Sequence, residues 1–366
     1  MRSRTLLLPL LLVTGAGRVA AQDTFTGVDR IVAVGDVHGD FGQFVTVLRQ
    51  ASVIDAKNAW SGGKTHLVQA GDVLDRGPDS RKAMDLLMEL APQAERAGGR
   101  VHALIGNHEV MNIQGDLRYV VPGEFEAFRT PKAELLRDRV FAAMADSTRK
   151  NDPEYRRQWN TEHPPGWVEH RLAFEGNGRY GTWIRGHNAV VKINDLLFLH
   201  GGIAPAYVAR SITEINDGVR QALGPASAPG GIADDSVGPL WYRGLATGDE
   251  TGLMPHVDQA LASFGVKHIV IGHTVTAGTV MPRFGGKVIM IDVGLSAVYG
   301  GPPACLVIEH GVAYTLHRGG KLELPLGADP LPYFHAAAAL DPAPSRLQKL
   351  IERLEGAAPA AVPPSR

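Results

Sequence analysis

The chain has 366 residues, of which 44% are hydrophobic and 20% are charged, a composition that excludes wholesale disorder. With 37 Lys and Arg against 38 Asp and Glu, its net charge of −1 disfavours general nucleic-acid binding, which relies on a basic surface. The one cysteine, Cys305, excludes an internal disulfide, and the apolar run around it predicts a buried core residue rather than a nucleophile.

The first 21 residues have the pattern of a cleaved signal peptide. Arg2 and Arg4 precede an apolar run at 6–13, and small residues at 19–21 form a cleavage site before Gln22. The alternative is an uncleaved membrane anchor, but the apolar run is too short to cross a bilayer. We therefore expect an exported, periplasmic protein with no stable membrane association after cleavage.

Six short runs rich in Val, Ile and Leu each end at a polar residue or a glycine, as buried strands followed by turns do. The runs are 31–34, 67–70, 101–105, 196–199, 269–271 and 288–291. Loops at the ends of buried strands are where α/β folds place their functional sites. An α/β fold is therefore predicted, with its site in these loops.

Helical spacing of apolar residues predicts helices at 43–50, 80–96 and 131–150. The apolar face expected for the third helix consists of Leu135, Leu136, Val140, Phe141 and Met144. That helix lies in a long interval, 110–191, without a strand-and-motif pattern, so the interval is either a structural insertion or a lid over the site. A flexible loop is expected at 225–231 and a disordered tail from Gly356.

The polar residues at the strand ends form a set with metal-binding chemistry: Asp36, His38, Asp72, Asn107, His200 and His273. Carboxylate, imidazole and amide oxygen together suit Mn, Fe or Zn better than Ca. Any one of these residues, taken alone, is more often a turn or a structural residue. Five such motifs in one chain instead indicate two divalent ions, which can activate water and clamp both oxygens of an in-line displacement at phosphorus.

These motifs also carry a family resemblance. Residues 35–39, 71–77, 106–109, 200–202 and 272–274 resemble the motifs of the PPP-type phosphoprotein phosphatases, within the calcineurin-like metallophosphoesterases. The resemblance extends over about residues 30–310. Two further runs, at 115–120 and 240–244, are similar to the bacterial Shewanella-like protein phosphatases.

The resemblance implies an α/β (α+β) fold with two packed mixed β-sheets flanked by helices. We expect a catalytic domain at 22–325 with a helical insertion at about 111–190, followed by a C-terminal extension at 326–366. The site would hold two divalent ions (Mn in vitro, with Fe or Zn as alternatives). A phosphorylated protein or a small phosphomonoester would be the substrate, with no nucleic-acid partner and no obligate subunit.

Residue roles follow motif by motif from the same resemblance. Asp36 and His38 would bind the first ion, Asp72 would bridge both, and the second ion would be bound by three further residues: Asn107, His200 and His273. A hydroxide bridging the ions would attack phosphorus.

The remaining roles concern the leaving group and the phosphate. His108 would act as the general acid, with Asp75 keeping it cationic. Arg76, Arg243 and Asn107 would bind the phosphate oxygens. For Arg243 an ordinary surface position stays an open alternative that ranks just behind phosphate binding.

Several residues near the motifs have less specific predictions. Glu109 and Asp292 are expected to orient the ligands rather than to bind metal. Arg185 and His187 either reach the site or lie on a solvated strand edge, and both alternatives stay open.

Three functions compete at this point. A protein phosphatase acting on phosphotyrosine in preference to phosphoserine or phosphothreonine ranks first. A dinucleoside-polyphosphate hydrolase ranks second, because Asp75 and Glu109 match the phosphoprotein branch better. A binding module on an inactive phosphatase fold ranks last, since every expected ligand and the general acid are present.

Overall fold

The computed structural model describes residues 22–224 and 230–357. The predicted signal peptide, most of the predicted loop at 225–231 and the end of the predicted tail lie outside the described residues. Gly356, where that tail was expected to begin, lies inside the last helix, Arg346–Ala357. Within the described ranges, no helix is both long and apolar enough to cross a membrane.

Two six-stranded mixed sheets form the centre of the molecule. In chain order the described strands are β1 Thr24–Phe25, β2 Arg30–Val34, β3 His66–Gln69, β4 Arg100–Ala103, β5 Val190–Ile193, β6 Leu196–Leu199, β7 His268–Ile271, β8 Met281–Arg283, β9 Val288–Met290, β10 Ala304–Glu309, β11 Val312–His317 and β12 Gly320–Glu323. One sheet has the order β1-β5-β6-β7-β9-β8 and the other β12-β11-β10-β2-β3-β4. The predicted α/β architecture with two mixed sheets flanked by helices is confirmed.

The parallel strands of each sheet place their carboxyl ends together. β2, β3 and β4 are parallel neighbours, with Val32 beside Leu67 and Leu67 beside Val101. β6, β7 and β9 form the equivalent parallel set in the other sheet. Because the six predicted apolar runs coincide with these strands, their polar loops meet at one end of the two sheets.

The two sheets approach each other closely at that end. Gly35 follows β2, and a Cβ atom there would lie only 2.4 Å from the carbonyl oxygen of Ile291, which follows β9. Only glycine permits this approach of one backbone to the other. The loops that carry the polar motifs of both sheets are therefore in direct contact.

Helices flank the sheets and fill the long interval between β4 and β5. In chain order the described helices are α1 Phe41–Gln50, α2 Ser80–Arg96, α3 Asn107–Gln114, α4 Pro122–Phe128, α5 Ala133–Met144, α6 Pro153–Glu162, α7 Trp167–Phe174, α8 Arg179–Ile184, α9 Ile212–Ala222, α10 Gly244–Thr247, α11 Glu250–Phe264, α12 Leu331–Ala338 and α13 Arg346–Ala357. The helix predicted at 80–96 is confirmed at both ends. The helix predicted at 43–50 starts two residues earlier, where the Asp40 side chain accepts a hydrogen bond from the Gln43 amide.

The helix predicted at 131–150 is shorter than expected, and its apolar face is largely wrong. It ends at Met144 because Ala145 is extended and Asp146 accepts hydrogen bonds from Thr148 in a turn. Met144 is 68% exposed and Leu135 is 49% exposed, whereas Phe141 is buried. Phe141 packs edge-on against Trp159 of α6, so this helix packs on another surface helix rather than on the main core.

The helices between β4 and β5 pack near the end of the sheets where the polar loops meet. The Arg171 side chain donates hydrogen bonds to the carbonyl oxygens of Asn112 and Ile113 in α3. The Arg76 amide donates to the carbonyl oxygen of Tyr119. These contacts pack α7 on α3 and place Tyr119 of the interval 111–190 beside the loop after β3.

Helix α12, which follows the last described strand, is hydrogen bonded to residues in or next to the sheets. The Tyr333 hydroxyl of α12 lies 2.9 Å from the hydroxyls of Thr279 and Thr315 and donates to the Val280 carbonyl oxygen. Cys305 on β10 is buried in the core, as expected. Residues beyond β12 thus pack against both sheets.

Candidate active site

The six predicted metal ligands lie together at the meeting point of the two sheets. Each of them is at most 6% exposed. Asp36 and His38 follow β2, and Asp72 follows β3. The other three follow the ends of β4, β6 and β7: Asn107, His200 and His273.

Asp72 lies at the centre of this cluster. Its Oδ2 is 3.2 Å from His200 Nε2 and 3.9 Å from His38 Nε2, so it faces ligands from both sheets. Around His200 Nε2, the Asn107 Oδ1 atom is at 2.9 Å and His273 Nδ1 is at 3.0 Å. Asp36 Oδ2 is 3.7 Å from His38 Nε2. Asp72 thus lies between ligands of the two sheets, as the bridging role predicted for it would need.

Backbone carbonyl groups fix the orientation of the three imidazoles. His38 Nδ1 lies 3.0 Å from the Leu74 carbonyl oxygen, and His200 Nδ1 lies 2.9 Å from that of Ala70. His273 Nε2 lies 3.2 Å from the Trp241 carbonyl oxygen. A carbonyl can only accept, so these ring nitrogens are the donors and the opposite nitrogens present lone pairs to the cluster.

The donor set fits divalent metal ions. Two three-residue groups have ligand atoms within 4.8 Å of one another and share Asp72: His38–Asp72–His108 and Asp72–His200–His273. Burial lowers the pKa of His38 to about 4, so its lone pair is free at neutral pH. Burial also opposes charge on His200, but the Asp72 carboxylate outweighs it and raises the pKa of His200. The cluster therefore attracts positive charge where the second ion is expected.

The backbone at these loops is strained. Five of the predicted site residues have left-handed backbone conformations with φ between 46° and 69°: His38, Asp72, Asp75, Arg76 and His273. Side chains other than glycine adopt this region at a cost of about 1–3 kcal/mol each, and they do so mostly at functional sites. Four of these five side chains line one cavity: His38, Asp72, Arg76 and His273.

Glu109 and Asp292 are both buried beside the ligands, but they make different contacts. Glu109 accepts hydrogen bonds from the amides of Asp72, Val73 and Gly106, which ties the loops after β3 and β4 together. Asp292 accepts from the Gly294 amide and lines the cavity, and burial raises its pKa to about 6. The contacts of Glu109 match the orienting role predicted for it.

His108 and Asp75 form a buried acid–imidazole pair. His108 Nδ1 is in a short hydrogen bond with the Asp75 carboxylate, and His108 Nε2 lies 3.8 Å from Asp72 Oδ2. Burial opposes a charge on His108, but Asp72 and the hydrogen bond with Asp75 outweigh it and raise the pKa of His108. Asn112 fixes the other Asp75 oxygen with a hydrogen bond of 3.0 Å. The imidazole is thus held ready to carry a proton at Nε2.

Arg76 and Arg243 line the same cavity of about 160 Å³. The Arg76 guanidinium lies 4.6 Å from the centre of the Tyr119 ring and 5.5 Å from that of Tyr299. Among the described residues no carboxylate forms an ion pair with Arg76, and its buried Nε has no hydrogen-bond partner. Arg243 is anchored through Nη1 to the carbonyl oxygen of His273 and the hydroxyl of Thr274.

Three aromatic residues of the cavity wall were not predicted. Tyr119, Tyr299 and Trp241 line the cavity beside His108 and the arginines. Tyr119 and Trp241 fall within runs that carried the family resemblance, so their positions in those runs could have drawn attention to them. The sequence around Tyr299 offered no such indication. Arg185 and His187, the two undecided residues, do not line this cavity.

Comparison with known proteins agrees with this geometry. Residues 29–277 match the calcineurin-like phosphoesterase family. Shewanella-like protein phosphatase 2 of Arabidopsis thaliana is 31% identical over 303 residues, covering 75% of this chain and 73% of that protein. Shewanella-like protein phosphatase 1 of Plasmodium berghei is 29% identical over 286 residues, covering 75% and 69%. The cold-active protein-tyrosine phosphatase of a psychrophilic Shewanella species has a crystal structure that superposes with a TM-score of 0.65 at 28% identity, over 83% of each chain.

The chain belongs to the calcineurin-like metallophosphoesterases, and it is a metal-dependent phosphoesterase. Within that family it is similar to the Shewanella-like protein phosphatases, as the motifs at 115–120 and 240–244 indicated. The predicted family resemblance and the predicted fold are therefore confirmed. The roles of the individual residues stay predictions.

Proposed function

We propose that the protein hydrolyses phosphomonoesters on proteins and prefers phosphotyrosine to phosphoserine or phosphothreonine. The observation that carries this proposal is the cavity of about 160 Å³ in which Arg76 lies within 5.5 Å of the centres of two tyrosine rings, next to the His108–Asp75 pair. The relatives named as protein phosphatases and the Shewanella enzyme named as a protein-tyrosine phosphatase support it.

The cavity wall favours an aromatic leaving group. Tyr119, Tyr299 and Trp241 surround a space of about 160 Å³, and aromatic pairs contribute about 0.5–1.5 kcal/mol beyond simple burial. A phosphotyrosine ring gains these contacts when its phosphate reaches the buried ligands. A phosphoserine side chain is shorter and brings no ring to this wall.

Arg76 and Arg243 bind the phosphate in this proposal. A guanidinium fork matches two phosphate oxygens and stays charged at all relevant pH values. Arg76 is preorganised because its stacking on Tyr119 restricts its rotamers, and no carboxylate of the described residues competes for it. Asn107, at the first position of α3, can contribute its amide to the same oxygens.

His108 supplies the proton for the leaving oxygen. Its Nδ1 is held by Asp75, so the proton that it transfers is the one on Nε2, which faces the cavity. Divalent ions bound at the Asp72 cluster would activate water and neutralise charge on the phosphoryl oxygens. The ligands accept Mn, Fe or Zn, and availability decides which ion is bound.

The test uses the chain from Gln22, depleted of metal and reloaded separately with Mn, Zn or Fe. Phosphate release is measured from a phosphotyrosine peptide, the matched phosphoserine and phosphothreonine peptides, and a dinucleoside tetraphosphate. We expect metal-dependent release from the peptides, fastest for phosphotyrosine. Turnover of the nucleotide alone would overturn the proposal in favour of the second predicted function.

We also propose that the protein is exported with loss of residues 1–21. The basis is the sequence pattern alone: two arginines, an apolar run and small residues before Gln22. Expression of the full chain in a Gram-negative host, followed by N-terminal sequencing of the periplasmic fraction, should give a chain that starts at Gln22. A chain retained in the cytoplasm with its N-terminus intact would contradict export.

A further inference from the structure

A larger groove opens beside the catalytic cavity. It has a volume of about 850 Å³ and lies between the loop at 274–277, strand β8, and helices α12 and α13. Val275 lines both the groove and the catalytic cavity. Thr274 faces the groove and accepts a hydrogen bond from Arg243, one of the predicted phosphate ligands. The two spaces therefore meet directly after His273.

The wall of this groove is mainly apolar. Its hydrophobic side chains include Val275, Met281, Met290, Phe334, Leu350 and Leu354. Leu354 is 43% exposed, and Val275, Met281 and Leu350 are half-buried. Isolated exposed leucines are ordinary, but a concave set of apolar side chains on one surface indicates a binding site.

The charges around the groove are mainly cationic. Arg283 is neutralised by an ion pair of 2.9 Å with Glu250. Three further cationic residues on α13 line the groove without an ion pair to any described carboxylate: Arg346, Lys349 and Arg353. Glu352 is the one acidic residue of α13 on this lining. A partner with acidic groups complements this distribution.

We propose that the groove binds the residues next to the phosphorylated side chain of a phosphoprotein substrate, and selects apolar and acidic residues there. This inference rests on the proposed phosphoprotein activity and adds the path of the substrate chain. The catalytic cavity holds one phosphorylated side chain, so the polypeptide on which it is carried must cross the cavity rim. At Val275 that rim continues into a groove whose apolar wall and cationic helix match such residues.

Two phosphotyrosine peptides of equal length test the selection. One carries Leu, Ile, Asp and Glu around the phosphotyrosine, and the other carries Ser, Gln and Lys at the same positions. With the manganese-loaded chain, we expect kcat/KM to be about tenfold higher for the apolar and acidic peptide, mainly through a lower KM. Equal kcat/KM values for the two peptides would overturn the inference.

Matched variants locate the effect in the groove. Leu354→Asp places a charge on the apolar wall, and Leu172→Asp makes the same change at another exposed leucine on α7. Arg353→Glu reverses a cationic position of the groove, and Arg139→Glu does so on α5. For the groove variants we expect the preference between the two peptides to fall about tenfold, while the controls keep it.

The outcomes separate this inference from the proposed function. Hydrolysis of p-nitrophenyl phosphate without hydrolysis of either peptide would contradict the phosphoprotein activity itself. Hydrolysis of both peptides with the same preference in Leu354→Asp and Leu172→Asp would overturn the groove alone. A shift of Leu354→Asp from dimer to monomer in sedimentation, with an unchanged preference, would also overturn it, because the groove would then be a contact between copies.

Discussion

The strand-end loops and the helical interval 111–190 each bury a carboxyl group beside an imidazole, but the two pairs differ in charge. In the loops, Asp75 is hydrogen bonded to His108, whose pKa is raised. In the interval, Glu124 Oε1 is 4.0 Å from His170 Nε2, and none of the four polar atoms of this pair makes a hydrogen bond of normal geometry. Burial lowers the pKa of His170 to about 3, whereas burial and then Asp75 raise that of Glu124.

The neighbours of each pair explain the difference. Asp72 lies close to His108 and stabilises its charged form, whereas Arg171 lies next to His170 and opposes it. The same two types of side chain therefore favour an ionic pair in the loops, Asp75 and His108, and a neutral pair in the interval, Glu124 and His170. Both imidazoles are buried, and the opposite directions of their pKa shifts follow the opposite signs of the neighbouring charges.

The largest expected effect on activity is that of replacing Asp72, the residue shared by both groups of predicted metal ligands. Asp72→Asn removes the carboxylate shared by the two ligand groups, so metal binding and activity should be lost together, a larger loss than the roughly 10- to 100-fold typical of residues that only orient ligands. Metal content by mass spectrometry and phosphate release check this together. Asp217→Asn, at an exposed position on α9, is the control. Two tightly bound ions in Asp72→Asn would contradict the bridging role.

Removal of the ionic pair tests its chemistry apart from metal binding. His108→Asn should retain the ions but lower turnover of substrates with poor leaving groups by about 10²- to 10⁴-fold. With p-nitrophenyl phosphate the loss should be smaller, because its leaving group needs less protonation. A uniform loss across leaving groups would remove His108 from the role of general acid.

Arg76 connects the two regions, since it follows β3 and stacks on Tyr119 of the interval. Arg76→Ala should reduce kcat/KM for phosphotyrosine peptides by about 100-fold, as expected for the loss of charged hydrogen bonds. Arg76→Lys keeps the charge without the fork and should recover only part of this. Arg243→Ala, at a more exposed position, should lose about tenfold. A loss for Arg76→Ala no larger than that for Arg243→Ala would contradict the leading role of Arg76 in phosphate binding.

The next prediction concerns Tyr119, the residue by which the interval 111–190 contributes to the cavity wall. Tyr119→Ala should lower the ratio of kcat/KM for phosphotyrosine over phosphoserine peptides by about threefold to tenfold, because one aromatic contact is lost. Tyr119→Phe keeps the ring and is the control. An unchanged ratio in Tyr119→Ala would assign the preference to other residues.

The smallest expected effect concerns the neutral pair. A carboxyl group whose native pKa is raised contributes fully to stability below its unfolded pKa of about 4.3 and loses that contribution as pH rises through the native value. The Glu124→Gln variant does not undergo this loss. Above about pH 4.3 its free energy of unfolding should therefore rise relative to that of the wild type, by at most about 1.4 kcal/mol per pH unit. Urea unfolding of both proteins from pH 5 to 8 checks this, with Glu126→Gln on the exposed side of α4 as control. Parallel stability curves would show that Glu124 is charged in the folded protein.

The catalytic loops could be predicted because each is short and local. A buried strand ending in Gly35-Asp36 or Gly71-Asp72 leaves the chain little freedom, so the spacing of the ligands follows from the strand order. The recognised motifs also placed His108 and Asp75 correctly beside each other. Local pattern and tertiary structure agree in this part of the molecule.

The wall could not be predicted in the same way because its residues come from distant segments. Tyr119 and Tyr299 flank one arginine although they are far apart in the sequence. The apolar face expected on the helix at 131–150 failed because Phe141 packs on Trp159 of a neighbouring surface helix, which periodicity does not reveal. Helices α12 and α13, at the end of the described chain, form part of a groove near the site for the same reason.

The hydrogen bond of 3.0 Å from the His273 amide to Asp36 Oδ1 joins a loop of one sheet to a loop of the other. Together with the close approach at Gly35, this hydrogen bond means that the catalytic centre connects the two sheets of the fold. Metal ions bound by ligands from both sheets would connect the two sheets further at the same place. Metal depletion is therefore expected to loosen the join between the sheets, and the His273 amide should exchange its hydrogen faster in depleted protein than in loaded protein.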